Sequence, residues 1–434
     1  MNLIKLLNVV ARTFYYEGIN GIVARIQTLL RTRGVSQSTL AASLTIDYSS
    51  QHIMDVKRQL DESQFVTLPE RVEVNHDNGN RPVDISMLSF LMLIPEPERG
   101  SGGRMTMARV LDYLIKKGVK CFVTFYPEVI EYRYSECEKA WFEEFGFDAV
   151  ACPVLRLDEA MAMYFDIAVA TYWPGAYVLK NCISASSKGY FVQDFEPYFH
   201  PPGSMAAFAE ETYRLGLWGV CASPWLAETL SSVYGMRTAG FLLGLEKSEY
   251  YLDNSVIREE NLVVAYIRQH TPRRGYELIM WALKLLKDKM PNVRVEIFGD
   301  ARLPAGKFLW IDKNHGIIGH EELRILYNRA TVGIVTSFTN YSLIPNEMIA
   351  CGCAVVDLDT PCMRSAFPSG VITLERATPQ RLATAAQLLL TNNDMRVAQV
   401  DRGFKYVSTI SWEQSLDSIY FAIQEFSHDQ TGKM

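Results

Sequence analysis

Two stretches of this chain are apolar on nearly every residue rather than on alternate ones. Met87-Leu88-Ser89-Phe90-Leu91-Met92-Leu93-Ile94 and Leu262-Val263-Val264-Ala265-Tyr266-Ile267 are each of strand length. A strand without a polar face has to be covered on both sides, which is the situation of parallel strands in α/β sheets. The first run leads into Gly100-Ser101-Gly102-Gly103, then a helical pattern with Met107, Leu111 and Leu114 on one face and a stop at Gly118. Val119–Phe125 follows as the next strand, so strand, glycine turn, helix and strand form one right-handed crossover unit. Further strand-like runs lie at Ile167–Ala170, Gly189–Gln193 and Gly219–Ala222. The second run opens another series: helix Glu277–Leu286, strand Val293–Phe298, helix Glu321–Arg329, strand Val332–Val335, helix Pro345–Ala350 and strand Ala354–Asp357. Helical patterns over 379–395 and 412–426 close the chain.

The pattern predicts an α/β protein of two facing Rossmann-like domains with a cleft between them. The expected organisation is a helical extension over 1–85, a first Rossmann-like domain over 86–245, a second over 246–410, and a final helix over 411–434 that crosses back to the first domain. Ligands of such sheets bind outside the carboxyl ends of the strands.

Composition narrows the function classes. Of the 434 residues 48% are hydrophobic, enough to bury two cores and to exclude disorder over most of the chain. A net charge of −6 argues against a dedicated nucleic-acid binder, since it would repel a phosphate backbone. The charge is unevenly spread: residues 1–34 hold Lys5, Arg12, Arg25, Arg31 and Arg33 against Glu17 alone. Helical patterns over 3–16 and 19–33 leave two readings of that arm open: packing on its own protein or a second subunit as a homodimer, or peripheral contact with an anionic membrane surface. The eight cysteines show no CxxC pairing and no framework spacing, and read as reduced, buried thiols. No apolar run approaches the ~20 residues of a membrane span, and no cleavable signal pattern is seen, so the expected location is the cytoplasm.

Three features of the second series point to one anionic ligand. Arg268 follows the Leu262–Ile267 strand directly, and Arg273-Arg274-Gly275 opens the next helix. Arginines past a strand end and at a helix start suit a diphosphate, because the helix end adds amide donors and a positive dipole. Ser337-Phe338-Thr339-Asn340-Tyr341-Ser342-Leu343-Ile344-Pro345 is a loop between strand and helix whose amides can cradle phosphate oxygens. Glu347, one turn into that helix, can accept hydrogen bonds from a sugar-ring diol, or simply complement the helix dipole.

Residues 337–357, with Pro345-Asn346-Glu347-Met348-Ile349-Ala350-Cys351-Gly352-Cys353-Ala354-Val355-Val356, resemble the donor-site signature of GT-B glycosyltransferases of the large retaining family four. The resemblance extends over about residues 86–425. It implies a GT-B fold, transfer from a nucleotide-sugar with retained anomeric configuration, and a set of site residues. Glu347 matches the family's ribose-binding Glu. Arg268 and Arg274-Gly275 match its diphosphate pair, and Gly102-Gly103 its N-terminal glycine turn. The segment His315–Leu323, with Gly319, is similar to the part that faces the nucleobase. The family's first Glu, a donor-sugar contact, falls at Thr339, which implies an atypical donor such as a deoxysugar, or a contact made instead by Thr339, Asn340 or Tyr341. Ser342 and Leu343 complete the implied loop. The run Tyr190-Phe191-Val192-Gln193-Asp194-Phe195-Glu196-Pro197-Tyr198-Phe199, with Pro201-Pro202-Gly203-Ser204, is similar to rhamnosyltransferases of bacterial rhamnan and S-layer glycan synthesis. That similarity implies dTDP-β-L-rhamnose as donor and a glycan or polyprenyl-linked glycan as acceptor.

No metal or further cofactor is expected. Asp357-Leu358-Asp359 has the letters of a DxD metal motif but lacks other ligand residues near it, and the seven histidines show no ligand spacing. Charge on the departing diphosphate then falls to Arg268, Arg274 and the loop amides. Asp194, Glu196 and His200 are the catalytic candidates on the acceptor side; their other reading is that they fix their own loop. Trp173, in Trp173-Pro174-Gly175, is expected at a strand end, where its ring either stacks on an acceptor sugar or packs inward. Two further readings remain: a sugar-nucleotide epimerase, and a catalytically silent glycan-binding or scaffold protein, the latter favoured by Thr339.

Overall fold

The computed structural model describes residues 85–95, 102–126, 137–139, 141–143, 150–303 and 308–428. The expectations for the 1–34 arm and, Ile85 apart, for the extension over 1–85 lie outside these residues.

Two parallel sheets carry the fold. The first has seven strands: β1 (Ser89–Ile94), β2 (Lys120–Phe125), β3 (Val154–Leu155), β4 (Tyr164–Ala170), β5 (Ser184–Val192), β6 (Trp218–Cys221) and β7 (Thr238–Gly240). Their order is β3-β2-β1-β4-β5-β6-β7. The second has β8 (Glu259–Tyr266), β9 (Arg294–Phe298), β10 (Lys313–Asn314), β11 (Ala330–Ile334), β12 (Ala354–Leu358) and β13 (Thr373–Glu375), in the order β10-β9-β8-β11-β12-β13. Each sheet starts in the middle, runs to one edge and returns to run to the other. The reversal lies between β1 and β4 in the first sheet and between β8 and β11 in the second. Chains leaving neighbouring strands in opposite directions open a crevice there, and this is where such sheets bind ligands.

Twelve α-helices lie among the described residues: α1 (Gly102–Lys116), α2 (Leu157–Ala162), α3 (Trp173–Cys182), α4 (Ser204–Glu211), α5 (Pro224–Tyr234), α6 (Tyr276–Lys289), α7 (His320–Arg329), α8 (Ile344–Ala350), α9 (Pro361–Ala366), α10 (Pro379–Thr391), α11 (Asn393–Ser408) and α12 (Trp412–His428). The apolar strands are covered on both faces, as their composition requires. From β1, Phe90, Met92 and Ile94 share a core with Met107, Leu111 and Leu114 of α1. Leu91 and Leu93 point the other way, against Trp173, Ala176 and Leu179 of α3. In the second sheet Val263 and Ala265 pack with Ile279, Leu283 and Leu286 of α6 and Leu382 of α10. Each such fully buried large side chain stabilises the fold by about 1.5–3 kcal/mol.

Three local expectations change. The helical pattern over 379–395 is broken at Asn392, whose side-chain Oδ1 accepts from the Met395 amide at 3.0 Å and starts α11 as a separate helix. Trp173 begins α3 rather than ending a strand; β4 stops at Ala170 and Pro174 fills the first helical turn. Its ring is 1% exposed, inside the core, which removes the sugar-stacking reading. The short edge strands β3, β7, β10 and β13, two or three residues each, are too brief to leave a pattern.

Helix α12 ties the end of the chain to the first sheet. The Tyr113 hydroxyl of α1 donates to Asp417, the Tyr113 and Tyr420 rings lie 6.2 Å apart edge to face, and Phe426 packs 5.5 Å from Trp218 of β6. At its start, Trp412 lies under the Arg109 guanidinium of α1 at 4.6 Å. The eight cysteines are all free thiols, seven of them buried. Among the described residues no helix is long and apolar enough to cross a membrane.

Candidate active site

The carboxyl ends of β5 and β11 meet. After β11 the chain runs through Thr336–Leu343 into α8, and after β5 it runs through Gln193–His200. The two loops are bonded to each other. The Phe195 amide donates to the Thr339 carbonyl at 3.3 Å. The Thr339 hydroxyl donates to Asp194 Oδ1 at 2.7 Å. Asn340, fully buried, gives both hydrogens of its amide nitrogen to the first sheet, to the carbonyls of Gln193 and Ala222, each at 2.8 Å. The Tyr341 hydroxyl accepts from the Leu243 amide. Thr339, Asn340 and Tyr341 therefore hold the two sheets against each other.

Guanidinium groups border this junction. The turn Pro272–Arg274 ends at Gly275, whose φ of +56° lies in the left-handed region. A side chain there would be strained, and a Cβ would come within 2.7 Å of Thr336 Oγ1. Glycine thus lets the turn press against the β11 loop, where the Thr336 hydroxyl donates to the Arg274 carbonyl at 2.6 Å. Nη1 of Arg274 and Nε of Arg273 are buried and make no hydrogen bond among the described residues. Arg273 lies with its guanidinium carbon 4.4 Å from the Phe199 ring centre, and burial pulls its pKa down from the usual guanidinium range. Arg268 sits just past β8, with Nε donating to the Tyr266 hydroxyl at 3.0 Å. A buried cationic donor lacking an acceptor, as Arg274 Nη1 is, is costly unless an anion arrives. The Ser342 hydroxyl is likewise buried without a partner among the described residues.

Glu347 stands one turn into α8, half-buried. Burial, and then the nearby Glu249 carboxylate, push its pKa up to about 8, while Arg109 and the Tyr327 hydroxyl favour its charged form. Gly319 caps the start of α7, its amide donating to Glu322 at 3.3 Å; the next residue, His320, shares a 2.9 Å hydrogen bond with the Tyr250 hydroxyl. On the first-sheet side Gly102 opens α1 opposite Leu343: a Cβ on Gly102 would lie 3.6 Å from the Leu343 side chain. A Cβ on Gly103 would lie 3.3 Å from the Gln193 amide group.

The acceptor-side candidates separate into different environments. Asp194 faces the junction. Glu196 lies beneath the loop at 3% exposure, its Oε2 accepting from the Tyr190 hydroxyl and the Trp173 amide, each at 2.7 Å. Burial pushes its pKa up to about 8. His200 is partly buried, edge-on to Trp173 at 5.7 Å, and its Nε2 makes no hydrogen bond among the described residues; burial pulls its pKa below the usual imidazole value. Asp357 serves the loop: its carboxylate accepts from the Ser337 amide at 2.9 Å and the Ser337 hydroxyl at 3.1 Å, while Asp359 pairs with Arg364.

Known proteins are similar to this chain in sequence and in fold. Residues 249–406 match the family model described as glycosyl transferases group 1. Among solved structures, Anabaena Alr3699/HepE in complex with UDP superposes with a TM-score of 0.60 at 13% identity, over 78% of this chain and all of that one. The fold is GT-B. TarM gives a TM-score of 0.62 at 9% identity, over 80% of this chain and all of TarM. The O-antigen biosynthesis protein RfbC of Myxococcus xanthus is 32% identical over 284 residues. That match takes in 62% of this chain but only 22% of RfbC. In GT-B terms the group 1 match lies on the second sheet, where Arg268, Arg274, Gly275, Gly319, the 339–343 loop and Glu347 stand. Two residues of the junction escape a reading by motif. Arg273 is visible in sequence only as a neighbour of Arg274, and Arg109 carries no signal because its part depends on where α1 lands.

Proposed function

We propose that this protein is a glycosyltransferase that takes a sugar from a nucleotide-sugar and passes it to a glycan or lipid-linked glycan acceptor of bacterial surface polysaccharide synthesis. The observation that carries the reading is the buried Arg274 Nη1, without a hydrogen-bond partner among the described residues, at the start of α6 and against the β11 loop at the switch point of the second sheet. A leaving diphosphate offers oxygens to that guanidinium, to Arg268 and to the α6 and loop amides, and neutralising it lowers the barrier to breaking the anomeric bond. Glu347 receives the ribose diol, and the His315–Leu323 segment borders the base. Gly102 and Gly103 leave room for the donor where α1 faces Leu343.

The donor we favour is dTDP-β-L-rhamnose, transferred with retention and without a metal, on the similarity of residues 190–204 to rhamnosyltransferases. The HepE complexes hold UDP, which keeps UDP-sugars among the donors to test. On the acceptor side His200 is suited to take a proton from a hydroxyl, since burial pulls its pKa below the usual imidazole value and so favours the neutral form. Peripheral membrane contact through residues 1–34 would bring the enzyme to a polyprenyl-linked acceptor.

Thermal-shift and calorimetric titration with dTDP, UDP and GDP test the reading. Stabilisation by one of them is expected, with transfer or slow hydrolysis of the matching sugar nucleotide. A catalytically silent GT-B protein would bind without turnover, and an epimerase would interconvert the sugar with no acceptor present.

A further inference from the structure

Asp194 belongs to the first sheet, yet its carboxylate lies in the loop of the second. Oδ1 accepts from the Thr339 hydroxyl at 2.7 Å, and Oδ2 lies 3.9 Å from Nε of Arg273. The second distance is too long for a hydrogen bond, so Arg273 attracts this oxygen without occupying it. Arg273 is itself fixed by the Phe199 ring, and its buried Nε makes no hydrogen bond among the described residues. Asp194 is thus aimed by one donor, flanked by one cation, and keeps acceptor capacity, since a carboxylate offers about four lone-pair sites. It belongs to the acceptor-side loop and lies beside Arg273, the chain neighbour of Arg274, one of the arginines to which the diphosphate is assigned. The group next to the diphosphate in a nucleotide-sugar is the hexose, whose hydroxyls are donors.

We propose that Asp194 anchors the transferred sugar, accepting a hydrogen bond from a hexose hydroxyl while Thr339 and Arg273 hold its orientation. The inference rests on the nucleotide-sugar reading and sharpens it. The sugar-binding carboxylate comes from the half opposite the diphosphate site, so it reaches the hexose only when the two loops are joined. Thr339 acquires a role as well, because its hydroxyl directs a carboxylate supplied from elsewhere in the chain.

Calorimetry on the full chain tests this, with dTDP, UDP and GDP, and with dTDP-L-rhamnose, UDP-glucose and GDP-mannose. The variants are Asp194→Asn, Asp194→Ala, Thr339→Val and the exchange Asp194→Thr with Thr339→Glu. Asp194→Asn and Asp194→Ala are expected to bind the bare nucleotide within about twofold of wild type. Their affinity for the sugar nucleotide should fall about tenfold or more, the scale of a hydrogen bond to a charged group. Thr339→Val should show a smaller loss of the same kind, and the exchange should recover part of it by returning a carboxylate to the site. Unchanged sugar-nucleotide affinity in Asp194→Ala would overturn the proposal. So would equal loss of bare and sugar-bearing nucleotide together with a lowered melting temperature, which marks a structural role. Failure of wild type to bind any of the six ligands would instead remove the nucleotide-sugar reading, and this inference with it.

Discussion

Single residues of the junction have separable effects. Arg274→Ala is expected to weaken nucleoside diphosphate binding by about tenfold or more, because a charge-assisted hydrogen bond is lost. The melting temperature should hardly move, since Nη1 makes no hydrogen bond among the described residues; calorimetry beside a melting curve checks both. The buried carboxyls make a pH prediction. Glu196 and Glu347 have pKa values pushed up to about 8, and Asp357 to about 7, each chiefly by burial. The folded state therefore holds protons that the unfolded chain has released above its ordinary carboxyl pKa of about 4. Folding linked to proton uptake loses stability as pH rises, here from about 4 up to about 8. Melting temperature should fall between about pH 5 and about pH 8 and level off above that, and Glu196→Gln should flatten the decline. A flat wild-type profile would show that the three carboxyls do not control it.

Among the elements, the turn before α6 and the strand pair β5–β6 are tight in different ways. Gly275→Ala meets a left-handed backbone and Thr336 Oγ1 at 2.7 Å, so a cost of at least about 1–2 kcal/mol is expected. It should weaken nucleotide binding as well, because the turn carries Arg273 and Arg274. Gly189 faces the Trp218 ring, where a Cβ would come within 2.3 Å. Gly189→Ala should destabilise by about 1–3 kcal/mol through overpacking, with nucleotide affinity preserved in the folded fraction. Urea denaturation read beside calorimetry separates the two. The elements are legible in sequence where they are long and buried: β1, β8, α1 and α6 announce themselves by apolar runs and helical spacing. The break at Asn392 and the start of α3 at Trp173 are not, because a cap and a helical proline outweigh the surrounding pattern.

Across the whole molecule, the polar groups of the junction, apolar packing that includes α5 against α9, and helix α12 join the two sheets. Asn340→Ala leaves the carbonyls of Gln193 and Ala222 without their donor in a buried place, at a cost of about 1–3 kcal/mol. Since those bonds cross between the sheets, the variant should also bind sugar nucleotide more weakly and become easier to cleave by protease. Limited proteolysis with and without nucleotide checks this. Trp412, 7% exposed at the root of α12, packs under Arg109 and so close to Gly244 that a Cβ there would lie 2.6 Å from its backbone. Trp412→Ala should cost about 3–5 kcal/mol, as large aromatic truncations in cores do.

What depends on neighbours along the chain can be read from the order of the residues alone. Apolar runs demand strands covered on both faces, and glycines and arginines at strand ends mark the switch point of the second sheet. The spacing around Glu347 carries the resemblance to a donor site. Other features need the folded chain because they are pairings across long separations. Thr339 sits 145 residues from Asp194, and Arg109 meets Trp412 from another helix; neither contact leaves a local pattern. Burial settles the rest. Asp194, Glu196 and His200 share one short loop, yet only packing separates a carboxylate bonded across the junction, one buried beneath the loop, and an imidazole whose pKa burial pulls down, because desolvation is a property of surroundings and not of spacing.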